Sequence, residues 1–335
     1  MTETTRPQHH AVLAQPATVV PTDRRPQAGP IAVLPNQREI FTKAVAAGGG
    51  EVAELSAQTR GIVWLSSTRA AELAEILDAN PQVQWVQLPW AGVDAFADVL
   101  ARFAGKDLPL FTSAKGAYSQ PVAEHTLALT LALLRVFPTR VRATSWSTIA
   151  EGRSLFGLNV VIIGAGGIAL ELIRLLEPFG THITVVRRSS EPVVGAERTL
   201  KSDRLMDVLP AADVVVVAAA STGDTRHLIG AKQLAAMKQT AVLVNVARGP
   251  LIDTDALVHA LAAGSIAGAG LDVTDPEPLP SGHPLWAEPR VIITPHSADT
   301  PYMTAPLLAE RIRANVAAFL GDGRFEGVVD PAAGY

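Results

Sequence analysis

The chain has 335 residues, 48% hydrophobic and 18% charged, with a formal net charge of −4, a composition that allows about two domains with ample core and excludes a wholly disordered chain. Its arginines and lysines are scattered, which excludes the concentrated basic surface of a nucleic-acid or anionic-membrane binder and leaves a small molecule as the expected partner. The absence of cysteine excludes disulfides, thiolate nucleophiles and cysteine-ligated zinc, and fits a reducing compartment.

Residues 1–30, MTETTRPQHHAVLAQPATVVPTDRRPQAGP, carry repeated proline and no sustained apolar stretch ahead of a small-residue cleavage pattern. They read as a flexible tail, not a signal peptide. His9 and His10 could ligate a metal as a pair, but in such a tail the bland reading is preferred. No apolar run approaches the roughly 18 residues of a spanning helix, which points to a cytoplasmic protein.

From Ile31 onward β-branched runs alternate with helical patterns, the sequence form of βαβ units around a parallel sheet. IAVL (31–34), GIVWLSS (61–67) and VQWVQLP (83–89) predict the strands of a first α/β block, with helices near 36–47 and 70–79. SQPVAEHTLALTLALLR follows, with Pro121 in its first turn and a nearly unbroken apolar run from Thr126 to Leu134. A helix apolar on all sides must be covered on all sides, so it is expected between domains or at a subunit contact. His125 and Glu124 lie near its start, where a capping or structural role outweighs a catalytic one. A second block offers strands at 159–163, 182–186, 213–218, 241–246, 267–271 and 291–294, runs whose lack of alternation predicts cover on both faces. A last helical segment spans 302–320.

In an open parallel sheet ligands sit beyond the carboxyl ends of the strands, so the residues just past each predicted strand form the candidate site. GAGGIA, Gly164 to Ala169, fits G-x-G-x-x-G/A between a strand and an amphipathic helix, where a pyrophosphate would lie on the helix N-terminal amides. The acidic residue that ordinarily follows about 20 positions on, to bond the ribose 2′-hydroxyl, is missing. Arg187 stands 23 positions after Gly164, followed by Arg188 and Ser189. Two cations and a hydroxyl suit a 2′-phosphate, so NADP(H) is expected over NAD(H), by about tenfold to a hundredfold for one charged hydrogen bond. The alternative is a solvated basic strand end.

Past the later strands come Arg248, Asp272, Glu277 and His296. Hydride transfer to a ketone makes its oxygen alkoxide-like, and a histidine is the natural proton donor near neutral pH. A carboxylate beside the imidazole favours its charged form, and a guanidinium can grip a substrate carboxylate and polarise the carbonyl. His182, His227 and His259 lie elsewhere and read as structural.

VVIIGAGGI, TRHLI, LVNVARGPLIDTDAL, GLDVTDPEPLP and ITPHSA, in this order, make the chain resemble the D-isomer-specific 2-hydroxyacid dehydrogenase family from about Ile31 to Val329. The resemblance implies a Rossmann-type doubly wound parallel sheet over 121–297, inserted into a flavodoxin-like α/β substrate domain built from 31–120 and 298–335. It implies Arg248 on the substrate carboxylate and keto group, His296 as acid/base and Glu277, rather than the nearer Asp275, as its partner. The implied cofactor contacts are Gly164, Gly166, Gly167, Ile168, Arg187, Arg188, Ser189, Thr225, Val246, Ala247 and Asp272, the last near the nicotinamide. Backbone amides of Ala91, Gly92 and Val93 would hold the substrate carboxylate, with Trp90 shaping the pocket. The family also implies domain closure and a homodimer formed through the nucleotide domain; Trp146 matches a position near that contact, or is purely structural.

Three positions depart from the family pattern: Ala169 for the third fingerprint glycine, Ala220 where a proline often stands, and Arg187 for the usual acid. With QLPWAGVD, Arg187 makes the chain most similar to the NADPH-dependent glyoxylate/hydroxypyruvate reductase branch, which implies reduction of a small 2-oxoacid to the 2-hydroxyacid. A phosphoglycerate-type dehydrogenase is disfavoured by the lack of a long C-terminal regulatory domain, and formate dehydrogenase-like chemistry by Glu277 where a glutamine is expected. The reading from another class is a dinucleotide-sensing, corepressor-like protein.

Overall fold

The computed structural model describes residues 8–333 except Ile149. Positions 1–7 of the expected tail and 334–335 of the expected substrate domain lie outside the described residues. The chain divides into two compact units, Met1–Tyr118 with Pro301–Tyr335, and Ser119–Thr300. The joins differ from the expected 120/121 and 297/298 because the helix Ser119–Leu134 belongs as a whole to the second unit and the helix Pro301–Leu320 to the first.

Among the described residues, the first unit opens with β1 (Thr18–Val19), β2 (Ile31–Leu34), β3 (Gly61–Trp64), β4 (Trp85–Gln87) and β5 (Leu110–Thr112). The second holds β6 (Asn159–Ile163), β7 (His182–Arg187), β8 (Arg198–Lys201), β9 (Val214–Val217), β10 (Val242–Asn245), β11 (Gly268–Leu271) and β12 (Val291–Ile293). After the chain returns to the first unit comes β13 (Arg324–Phe325).

In the first unit β2, β3, β4 and β5 lie in that order and run parallel. A parallel bridge from Val52 to Ile31 adds a rudimentary strand outside β2, which completes the flavodoxin-like order 2-1-3-4-5. Ile31, Val33 and Trp85 pack with Val45, Ile312 and Phe319 on one face, while Ile62, Trp64 and Val86 pack with Leu73, Leu77 and Leu100 on the other. Double cover explains why these strands read as unbroken apolar runs.

A flexible tail over 1–30 is not what the first unit contains from Val12 onward. The Val12 N–H donates to the Gly116 carbonyl at 2.9 Å, β1 pairs antiparallel with β13, and Arg25 Nε donates to the Val20 carbonyl at 3.0 Å. A two-residue ladder and one buried valine give this proline-bearing segment partners that its own sequence cannot signal.

The second unit carries a parallel sheet in the order β8-β7-β6-β9-β10-β11-β12, the doubly wound Rossmann arrangement with its reversal between β6 and β9. Its register aligns Val186, Ile163, Val217, Asn245, Leu271 and Ile293 in one row across the sheet. The segments after these residues therefore emerge along a single edge. The helix Ser119–Leu134 contributes Val122, Ala123, Leu129 and Leu133 to the core over one face of this sheet, while Glu124 and Ala128 are exposed. It is thus a core helix of this unit with one uncovered stripe. Among the described residues no helix is long and apolar enough to cross a membrane.

Candidate active site

At the reversal point β6 ends in Gly164, whose φ of 112° and close approach explain the residue: a Cβ there would lie 2.4 Å from the Ala218 carbonyl oxygen. Gly166 then stands at the N-cap of the helix Gly167–Leu176, without a side-chain cap, and a Cβ on it would meet nothing within 4 Å. Gly167 and Ile168 open the helix, its first turn carries no acidic residue, and Ala169 is fully buried against the sheet. An open approach to uncapped first-turn amides, with the small third residue packed inward, fits the pyrophosphate of a dinucleotide.

Arg187 closes the next strand and Arg188 and Ser189 follow it. The Arg187 guanidinium lies 3.9 Å from Glu191, whose carboxylate also accepts a 3.4 Å bond from the Ser189 hydroxyl. Beyond β9 the loop folds on itself: the Thr225 hydroxyl donates to the Ala220 carbonyl at 3.0 Å and accepts the Thr222 N–H at 2.7 Å. That side chain is spent on its own turn, so any cofactor contact from Thr225 would come from the loop it shapes.

After β10, Val246 and Ala247 are buried, which limits what they can present to backbone atoms. Asn245, also buried, clamps the turn from both sides: its side chain accepts the Ala247 N–H at 3.0 Å and donates to the Arg248 carbonyl at 2.9 Å. Gly249 is required next, since a Cβ there would fall 1.8 Å from the Thr274 carbonyl oxygen. The clamp and this contact fix the backbone that carries Arg248.

The last two strand ends form one construction around Asp272, whose side chain is only 1% exposed. Its Oδ1 accepts the Thr294 hydroxyl at 2.6 Å and the Ser297 N–H at 2.9 Å, and its Oδ2 accepts the Ala298 N–H at 3.2 Å. Its carbonyl takes the His296 N–H at 2.8 Å, and His296 adopts a positive φ of 49°. The ring of His296 meets Glu277, Nδ1 to Oε1, at 2.7 Å; both side chains are open, 49% and 42% exposed. Asp275 instead faces Arg226 at 3.6 Å.

Asp299, three residues past His296, completes the charged group. Burial pushes its carboxyl up to about 6, with the positive charges of His296 and Arg248 pulling down and Asp272 pushing up. A carboxyl raised in the folded state stabilises the fold fully below its ordinary value of 3.8 and loses that contribution as pH rises through about 6. Asp299→Asn is therefore expected to gain stability over the native chain as pH rises from 5 to 8, by about 1–2 kcal/mol across that range. Thermal melts across that range check it, and a pH-independent difference counts against it.

Gly164, Gly166, Gly167, Ile168, Arg187, Arg188, Ser189, Val246, Ala247, Arg248, Asp272, Glu277 and His296 thus all follow or end strands along one sheet edge of the second unit. Trp90, Ala91, Gly92 and Val93 belong to the first unit. There Trp90 is half-exposed, edge-on to Tyr118 at 5.8 Å, and the Tyr118 hydroxyl donates to the Pro89 carbonyl at 2.6 Å. Val93 is buried while Ala91 is exposed. Asn245, Thr294 and Asp299 escaped the sequence reading; a polar residue closing the apolar run LVN was the only signal for the first.

Residues 127–298 match the family model for D-isomer specific 2-hydroxyacid dehydrogenase, NAD binding domain. An uncharacterized protein in the proB 3′ region of Corynebacterium melassecola is 38% identical over 299 residues, 88% of this chain and 96% of that one. A glyoxylate reductase of Korarchaeum cryptofilum is 33% identical over 258 residues, 73% of this chain and 76% of its own. Among solved structures, a D-isomer specific 2-hydroxyacid dehydrogenase from Xanthobacter autotrophicus Py2, in complex with NADPH and MES, superposes with a TM-score of 0.78 at 27% identity over 92% of this chain and 100% of that one. The NADPH-dependent glyoxylate/hydroxypyruvate reductase from Sinorhizobium meliloti, in complex with NADP and malonate, gives 0.72 at 26% identity over 92% and 98%.

Proposed function

The chain belongs to the D-isomer specific 2-hydroxyacid dehydrogenase family, and from that premise we propose that it reduces a small 2-oxoacid, glyoxylate, hydroxypyruvate or a similar acid, to the 2-hydroxyacid with NADPH. The observation that carries this reading is the 2.7 Å contact of His296 with Glu277 on the strand-end row that also bears Arg248. A bound nicotinamide dinucleotide supplies the hydride. His296, as imidazolium, gives its Nε2 proton to the carbonyl oxygen as charge develops there. Glu277 holds Nδ1 and stabilises the positive ring. Arg248 binds the substrate carboxylate and polarises the carbonyl.

The amides from Gly166 to Ile168 would hold the pyrophosphate, and Arg187, Arg188 and Ser189 the 2′-phosphate. Asp272 accepts three donors, which fixes the loop that bears His296 from behind, and its Oδ2, which takes only one of them, would keep a lone pair for the nicotinamide end of the cofactor. In the first unit the amides of Ala91, Gly92 and Val93 would take the substrate carboxylate. NADPH-dependent relatives such as the Sinorhizobium meliloti reductase support the cofactor and substrate class. A homodimer formed through the second unit is favoured by Phe137, Val141, Trp146 and Phe156, all exposed after the helix Ser119–Leu134, Trp146 to 94%.

The test is NADPH consumption by the purified protein against a panel of 2-oxoacids. Turnover on a small 2-oxoacid is expected. Tight NADPH binding with no turnover on any of them would sink the reductase and favour a dinucleotide-sensing, corepressor-like protein.

A further inference from the structure

We propose that His125 is a positioning residue for His296, acting through the Thr294 hydroxyl and the buried Asp272 carboxylate. The inference rests on the reading of His296 as the acid/base. His125 is the seventh residue of the helix Ser119–Leu134, beyond the first turn, so the capping role expected of it is ruled out. Its Nε2 instead lies 2.9 Å from Thr294 Oγ1 and 3.6 Å from Asp272 Oδ1.

The direction of these bonds is forced. Thr294 has one hydroxyl proton, and the Asp272 carboxylate 2.6 Å away can only accept it. The Thr294 oxygen must therefore receive its bond from His125, which keeps Nε2 of that ring protonated. The opposite tautomer would draw the Thr294 proton to His125 and strip a donor from a carboxylate that is almost wholly out of water.

Asp272 passes this constraint on. Its carboxylate holds the N–H groups of Ser297 and Ala298, and its carbonyl holds that of His296, so the segment 294–298 is wound around one residue. The backbone of His296, at positive φ, depends on that winding. The charged groups that act on the same loop are Glu277 at the ring of His296, and Asp272, Arg248 and His296 around Asp299; Glu124 adjoins His125 on the helix.

The experiment compares His125→Leu, Thr294→Val and their double variant with His125→Gln, whose amide can still donate to Thr294. Readouts are kcat and KM for the best 2-oxoacid of the panel, NADPH affinity, and the NMR titration of His296 in histidine-labelled protein. The expected result is a loss in kcat of about tenfold for each single variant, as for one buried bond left unmade. NADPH affinity stays within about twofold, the His296 titration is displaced, the double variant is no worse than either single one, and His125→Gln recovers most of the rate. Additive losses, an unmoved His296 titration, or His125→Gln as impaired as His125→Leu would each overturn the proposal. If the native protein reduces no 2-oxoacid, the titration alone decides: a displaced His296 upholds the positioning chain while the reductase reading falls.

Discussion

Replacing His296 by alanine is expected to lower kcat for 2-oxoacid reduction by about 10²- to 10⁴-fold, the range general acid catalysis contributes. The size follows from what the site offers in its place. Glu277 touches His296 through Nδ1, so removing the ring leaves an acceptor, not a proton donor, where the developing alkoxide needs one. Water can enter, since the pair is open to solvent, and sets the floor. Affinity for NADPH should stay within about twofold, because the contacts proposed for its pyrophosphate and 2′-phosphate lie at Gly166 to Ile168 and Arg187 to Ser189, on other strands. A variant that keeps native kcat would remove His296 from the mechanism, whereas loss of NADPH binding in step with activity would make its role structural.

Much of this site was legible because its backbone parts are local. The tight turn at Gly164 needs only a strand, a glycine pattern and a helix in sequence, and the unbroken valine runs announced strands covered on both faces. β5 and β8 went unread for the opposite reason. One is three residues long, and the other is a polar edge strand whose outer positions are exposed. The residues that tune the site were illegible because their partners are remote in the chain. Thr294 is recognisable only once Asp272 lies beside it, and His125 reads as a helix residue until a hydroxyl 169 positions away meets its ring. Asp299 has no motif at all; only the burial of its carboxyl near Arg248 and His296 marks it.

Arg187→Asp is expected to shift the ratio of kcat/KM for NADPH over NADH by about tenfold to a hundredfold toward NADH. In the native chain the Arg187 guanidinium is 30% exposed and its nearest carboxylate, Glu191, stands 3.9 Å off and largely in solvent. Such a pair contributes little, so a 2′-phosphate can displace Glu191 at small cost and take charge-assisted bonds instead. An aspartate at the same strand end reverses both signs: it repels the phosphate and offers the ribose 2′-hydroxyl an acceptor. Arg188 and Ser189 persist in the variant, so NADPH binding should weaken without vanishing. Because the change touches only the adenosine end, kcat with saturating NADH should stay near its native value. An unchanged cofactor ratio would show Arg187 to be a solvated strand end and remove the reason to assign this chain to NADPH.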